Sequence, residues 1–312
     1  MGVKNLFKIT IHNPQSTENG KTIAELGRET TLAKLKGKRV CVDASGMIYQ
    51  AILAMKRINS LTDSKGRTTA HINTIKNKVL MIKKAGIEQI WIFDSPAPNP
   101  IKEAELKKRR ERAFASKDPK VQFRMSGEHV NDIKQLLEMM GIAWIQAPDG
   151  LEAEQYGAWM TTGDQPFCDY MLSADSDVLA FGGNLLRPVS KKSATGKSSR
   201  TVYHIYEQDT LLEDTGLSRD DFLKMCVFMG TDFNPKPRGP STKTIMSKVD
   251  TLDPTPELEA VIKYFKERTQ YDVSTLLTKF SKPNKTGLLK FLKDRGFNEE
   301  RIKKEIATLT SV

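Results

Sequence analysis

Apolar positions along the chain alternate between short β-branched runs and stretches with a helical pattern. Arg39-Val-Cys-Val-Asp-Ala-Ser45 reads as a strand ending in Asp43, and Met47 to Met55 continues at once as a helix. A second helix, about His71 to Ala85, leads to the strand Gln89-Ile-Trp-Ile-Phe-Asp94, which again closes on an aspartate. A helix over Asn131 to Met140 precedes the strand Ala143-Trp-Ile-Gln-Ala147. Pro148-Asp-Gly-Leu-Glu-Ala-Glu-Gln-Tyr156 then opens a helix that runs to about Met160. The apolar run Met171 to Gly182 predicts a buried strand that delivers Asp175 and Asp177 at its end. Arg187 to Arg200 reads as a mobile basic loop, Phe222 to Phe233 as an apolar helix ending in Asp232, and the rest as helices beyond a Pro-rich, cationic turn at Pro235 to Lys243. Strands alternating with helices imply an α/β fold with a mostly parallel sheet, whose ligands bind outside the carboxyl ends of the strands.

Asp43, Asp94, Asp175 and Asp177 all fall on that edge, and Glu152-Ala-Glu154 stands at another strand-to-helix junction. Asp175 and Asp177, two apart on an extended segment, share a side and repel unless a cation lies between them; a divalent metal is the usual answer. Each acid also has an ordinary explanation. Asp43 can cap the helix after it, and Asp149 with Glu152 has the spacing of a capping box. Glu152 and Glu154 lie about 200° apart on an ideal helix, so both face one site only if the helix begins there or bends. Taken together, four strand-end aspartates and a Glu-x-Glu exceed what capping requires.

Charge sharpens the contrast. The 312 residues carry a formal net charge of +11, which favours a polyanionic partner, while the acids gather at one edge. Lys102, Lys107, Lys108, Arg109, Arg110 and Arg112 crowd the stretch that begins eight residues after Asp94, with Lys102 and Arg109 seven apart and on one helix face. Gly196-Lys197-Ser198 lacks the earlier glycine and the leading strand of a phosphate-binding loop. Cys41, Cys168 and Cys226 are odd in number and unpaired in spacing, so neither a disulfide framework nor a zinc site is expected. No apolar run approaches a membrane span and no signal segment opens the chain, which suggests a soluble, intracellular protein.

Met1 to Lys8, Val40-Cys-Val-Asp-Ala-Ser45 with Tyr49, Trp91-Ile-Phe-Asp94 with the basic run, Ala147-Pro148 with Glu152-Ala-Glu154, Ala174-Asp-Ser-Asp177 with Phe181-Gly182, and Met229-Gly-Thr-Asp232 resemble the flap endonuclease branch of the XPG-type 5′ nucleases. Gly287 to Leu292 and Phe297 to Ile302 resemble the last helices of that core. The resemblance implies a PIN-like 5′ nuclease fold: a core over residues 1–220, with a helical arch at about 95–130, and a helix-two-turn-helix and C-terminal helical lobe over 221–312. It implies two Mg²⁺, with Mn²⁺ able to substitute, on Asp43, Asp94, Glu152, Glu154, Asp175, Asp177 and Asp232. Lys102 and Arg109 match the basic pair that steers the scissile phosphate, and Asp43, Asp94 and Asp175 stand with them as catalytic positions. DNA contacts are implied for Gly2, Tyr49, Lys107, Lys108, Arg110, Arg112, Arg238, Gly239 and Lys243. Tyr49 matches a base-stacking aromatic, though a core-facing tyrosine remains open.

The chain departs from the family at three places. Its arch segment, Ala113 to His129, is short and contains Pro119; Arg238-Gly-Pro-Ser-Thr-Lys243 lacks the second glycine of the usual turn, leaving K⁺ there open; and no sliding-clamp docking motif follows the core. The implied partner is branched or 5′-flapped DNA, cut by a monomer in the nucleus or at a site of viral DNA replication, with no membrane. A processive 5′→3′ exonuclease and a junction-cutting XPG relative are alternatives within the class. An aspartyl-phosphate phosphohydrolase would have no use for Glu152, Glu154 and Asp232, and a non-catalytic DNA-binding protein no reason to keep seven repelling acids.

Overall fold

The computed structural model describes residues 2–11, 20–53, 62–97, 99–118, 125–192, 199–268, 272–277, 279–307 and 309. Met1, Met55, Pro119 and Gly196-Lys197-Ser198, used above, lie outside them. Strands β1 (Arg28–Thr30), β2 (Arg39–Asp43), β3 (Glu88–Phe93), β4 (Ala143–Gln146), β5 (Tyr170–Leu172), β6 (Leu185–Lys192) and β7 (Ser199–Tyr206) form one sheet in the order β1-β7-β6-β5-β2-β3-β4. The five strands from β6 to β4 run parallel, while β7 and β1 extend the sheet antiparallel. From β2 the chain moves outward through β3 to β4, then returns to β5 on the other side. That reversal opens a crevice at the carboxyl end of β2, where ligands of such sheets bind.

Period-two alternation explains why both faces of the sheet are dry. Cys41, Ile90, Ile92 and Met171 face one hydrophobic cluster, and Val40, Val42, Trp91, Phe93 and Leu172 the other. Helices cover both: α1 (Ile23–Leu26), α2 (Ala44–Leu53), α3 (Ala70–Lys84), α4 (Glu103–Ala115), α5 (Gly127–Met139), α6 (Ala153–Met160), α7 (Asp177–Ala180), α8 (Gln208–Thr215), α9 (Arg219–Met229), α10 (Thr242–Lys248), α11 (Pro256–Lys266), α12 (Val273–Leu277), α13 (Lys285–Lys293) and α14 (Glu299–Ala307). An aromatic group pins the later helices to the sheet. Phe181 lies 4.4 Å from Phe265 between ring centroids, Phe233 lies 4.8 Å from Tyr264, and the Tyr264 hydroxyl donates to Gln155 at 2.7 Å.

Three local expectations change. In the loop expected over Arg187 to Arg200, residues 187–192 and 199–200 are strand, with Lys191 paired to Arg200 and Lys192 to Ser199 between β6 and β7; 193–198 lie outside the described residues. The hairpin's outer half is hydrophilic on both faces, so it carries no alternation to betray a strand. β5 stops at Leu172, and Asp175 and Asp177 stand in the following turn and at the first position of α7, not two apart on an extended strand. The capping box at Asp149 and Glu152 is absent, because Glu152 itself occupies the N-cap of α6 in extended conformation.

Candidate active site

Each acid reaches the crevice by a local device. Asp43 ends β2 and accepts from the Gly46 amide at 2.7 Å, so it caps α2 and faces the site at once. Its other oxygen meets the Ser173 hydroxyl at 3.4 Å. Asp94 follows β3 and accepts from the Ala153 amide at 2.8 Å, which binds the acid to the start of α6. Because α6 begins at Ala153, Glu152 stays off the helix and the 200° objection disappears. The Asp175 amide donates to Ser173 Oγ at 3.0 Å, and the Asp177 amide donates to Asp175 Oδ1 at 3.0 Å. Asp232 does not end α9 as expected: the helix stops at Met229, where Gly230 turns the chain at φ +86°, and Asp232 lies three residues beyond it, beside Phe233 of the aromatic group.

The N-terminus closes the floor. Val3 O accepts from Ser176 Oγ at 3.3 Å, and the Lys4 amide donates to Gly230 O at 2.8 Å. Gly2 adopts φ +80°, and a Cβ there would stand 1.9 Å from Asp175 Oδ1. Only glycine fits at that approach.

Burial and mutual repulsion dominate the electrostatics. Asp43, 4% exposed, is pushed up to about 7 by burial and then by the Asp94 carboxylate. Glu154 and Asp177 are held well above the ordinary range, first by burial and then by Asp43 and by Asp175 respectively. Burial also raises Asp175 and Glu152, against the pull of Lys102 on both. Seen from the cations, burial opposes the charge of Lys102 and Arg109. Glu152 for the lysine and Asp232 for the arginine outweigh it and raise both groups. Lys102 Nζ donates to Glu152 Oε1, and Arg109 Nη2 donates to Asp232 Oδ2 at 2.6 Å. Lys102 also sits over the Phe233 ring, 5.3 Å from its centroid.

As placed, no three His, Cys, Asp or Glu side chains among the described residues stand close enough to hold one metal ion. Glu152 and Asp232 are engaged by Lys102 and Arg109 instead. The donor set nevertheless fits hard divalent cations: every group offered is a carboxylate. Asp177 Oδ1 is buried with no hydrogen-bond donor, an orphan acceptor of the kind a cation satisfies.

Among the DNA-contact candidates Gly2 is buried against Asp175, where it packs within the site and offers no open surface; the others reach the surface. Lys107, Lys108, Arg110 and Arg112 are exposed on α4, and Tyr49 is half-buried on α2 near Asp43 in sequence. Arg238, Gly239 and Lys243 are exposed before and at the start of α10, whose N-cap Ser241 accepts from the Thr244 amide at 3.1 Å. Sequence reasoning missed Ser45, Gly46 and Ser173. Ser45 Oγ accepts from the Asp94 amide at 3.3 Å, and a Cβ on Gly46 would meet Asp43 Oδ2 at 2.0 Å. The small run Ala44-Ser45-Gly46 directly after Asp43 was the available signal; nothing in the sequence points from Ser173 back to Asp43.

Residues 1–115 match the XPG N-terminal domain and residues 141–232 the XPG I-region, and all seven acids with Lys102 and Arg109 fall inside those two ranges. Flap endonuclease 1 of Leishmania major is 32% identical over 322 residues, covering 90% of this chain and 80% of that protein. Flap endonuclease 1 of Thermococcus onnurineus is 30% identical over 321 residues, covering 90% and 91%. In fold, the chain superposes on flap endonuclease-1 from Methanococcus jannaschii with a TM-score of 0.69 at 24% identity, over 90% of this chain and 94% of that one. Human GEN1 in complex with Holliday junction DNA gives the same TM-score at 16% identity, over 99% and 77%. With its acid-bearing segments matched from end to end in this way, the chain belongs to the flap endonuclease and XPG family of structure-specific 5′ nucleases.

Proposed function

We propose that the chain hydrolyses DNA phosphodiesters where a 5′ single strand meets duplex, using two divalent ions, Mg²⁺ or Mn²⁺, held by Asp43, Asp94, Glu152, Glu154, Asp175, Asp177 and Asp232. Such ions would polarise the scissile phosphate and supply a water of lowered pKa. The reading rests on one observation above all: buried carboxylates with raised proton affinity face a lysine and an arginine that neutralise two of them.

The protein's own groups divide the remaining work. Lys102 and Arg109 stay protonated at any working pH, and an entering phosphate offers them a second set of oxygens. Turning to it would leave Glu152 and Asp232 free to hold a divalent ion, and would place both cations against charge that develops on the phosphate. Gly2 lets the backbone lie directly under Asp175 and fixes that carboxylate. Tyr49 can stack on an unpaired base. Arg238, Gly239 and Lys243 would grip duplex phosphates at the α10 N-terminus, and the exposed cations of α4 would follow the single strand. Junction shape is then read through phosphate contacts with little base readout.

The test is cleavage of 5′-labelled single strand, blunt duplex, 5′ flap, bubble and four-way junction, with Mg²⁺ and with EDTA. Release of an intact flap oligonucleotide only with Mg²⁺ is the expected result. Mononucleotides from a duplex end would instead make the protein an exonuclease, cutting confined to the junction would make it a resolvase, and silence on all five would end the nuclease reading.

A further inference from the structure

Phe114 is 93% exposed near the C-terminal end of α4, whereas nearly every other large apolar side chain among the described residues is covered. Its position on the helix is not arbitrary. At 100° per residue, Lys102, Arg109 and Ala113 fall within about 40° of one another, and this is the face that meets Glu152 and Asp232. Lys107, Arg110 and Phe114 fall within about 60° of one another on a second stripe, turned about 110° from the first. Both cations of that stripe are exposed. A stripe of cation, cation and aromatic on the helix whose other face meets the acid crevice has the composition of a single-strand track, in which charge follows the backbone and a ring takes a base face.

We propose that Phe114 is a positioning residue for the unpaired 5′ strand, stacking on one base after the strand has passed Lys107 and Arg110. This rests on the nuclease reading of the site. The distance sets a length rule. Twelve residues of helix separate Lys102 from Phe114, a rise of about 18 Å. A stacked strand advances about 3.4 Å per nucleotide, so about five nucleotides are needed to reach the ring. Shorter flaps are cut without it.

The experiment compares the full chain with Phe114→Ala and Phe114→Trp on 5′ flaps of one and eight nucleotides in Mg²⁺. The expected result for the alanine variant is a KM about tenfold higher on the long flap, the loss of one base–aromatic stack. KM on the short flap should be unchanged, and kcat within twofold on both. The tryptophan variant should restore the long-flap KM. A second arm places 2-aminopurine at the fifth flap nucleotide and reads fluorescence on binding in EDTA, where nothing is cut. Quenching by wild type and by Phe114→Trp, but not by Phe114→Ala, supports the stack. An equal KM change on both flaps, no change on the long one, or quenching retained by the alanine variant overturns it. Wild type that cuts neither flap overturns the nuclease reading instead, and the fluorescence arm still decides Phe114.

Discussion

Arg109 Nη2 lies 2.6 Å from Asp232 Oδ2, across 123 residues of sequence, and so ties the basic helix α4 to the turn that follows α9. The same guanidinium holds Glu105 at 3.1 Å, one turn earlier on its own helix. Arg109 therefore arrives at the crevice already oriented. Arg109→Ala is expected to lower kcat by about 10² to 10³, because it removes a preorganised donor from developing phosphate charge. KM for flap DNA should change far less. Single-turnover rates beside binding isotherms would show this, and a pure KM effect would reduce Arg109 to a docking contact.

Proton affinity gives the metal-free protein an unusual pH dependence. Asp43 ordinarily titrates near 3.8 and in the fold is raised to about 7. The folded state thus holds its proton more tightly than the unfolded chain. Its contribution to stability is complete below the ordinary value and is lost as pH rises through about 7. Glu154 and Asp177, raised in the same direction, act with the same sign. In EDTA, Tm should fall between pH 5 and pH 8, and Mg²⁺ should recover more of it at pH 8 than at pH 5. A metal-free Tm that climbs over this interval contradicts the electrostatic account.

Asp177→Asn separates charge from shape. Asp177 Oδ1 is buried without a donor, and the side chain lies beside Asp175 and Asp232. Removing one of these charges should raise the metal-free Tm at pH 8 by a few degrees, about 1 kcal/mol of relieved repulsion. It should also weaken Mg²⁺ binding and activity by at least about tenfold. Calorimetric titration with Mg²⁺ alone reads the binding directly. A variant less stable in EDTA yet normal in Mg²⁺ affinity would show that Asp177 serves the fold.

Gly2→Ala tests the floor of the site. The substituted Cβ would collide with Asp175 Oδ1, and φ +80° strains any L side chain by about 1 to 3 kcal/mol. The N-terminal segment should yield before the sheet does, displacing Asp175. Activity is expected to fall at least about tenfold while Tm moves by less than about 3 °C. Unchanged activity would show that the segment's path is not tied to catalysis.

How much of this could be read from the chain alone follows from the range of each interaction. The strand-end positions of Asp43 and Asp94 were legible because β2 and β3 are buried on both faces and leave continuous apolar runs. Glu152 and Glu154 were legible as a pair but not in placement, since that depended on α6 starting one residue after Glu152. The β6–β7 hairpin was hidden by its lysines. Ser173 was invisible because its partner, Asp43, lies 130 residues away. The pairing of Lys102 with Glu152 and of Arg109 with Asp232 was not foreseeable from spacing either, although both cations had been singled out.

The contacts of the amino end have a bearing on how the protein is made. Val3 and Lys4 are bonded to Ser176 and Gly230, so this early segment waits for partners that are made much later along the chain. Until those partners are made the crevice has no floor, and the acids of β2 and β3 stand without the segment that closes beneath Asp175.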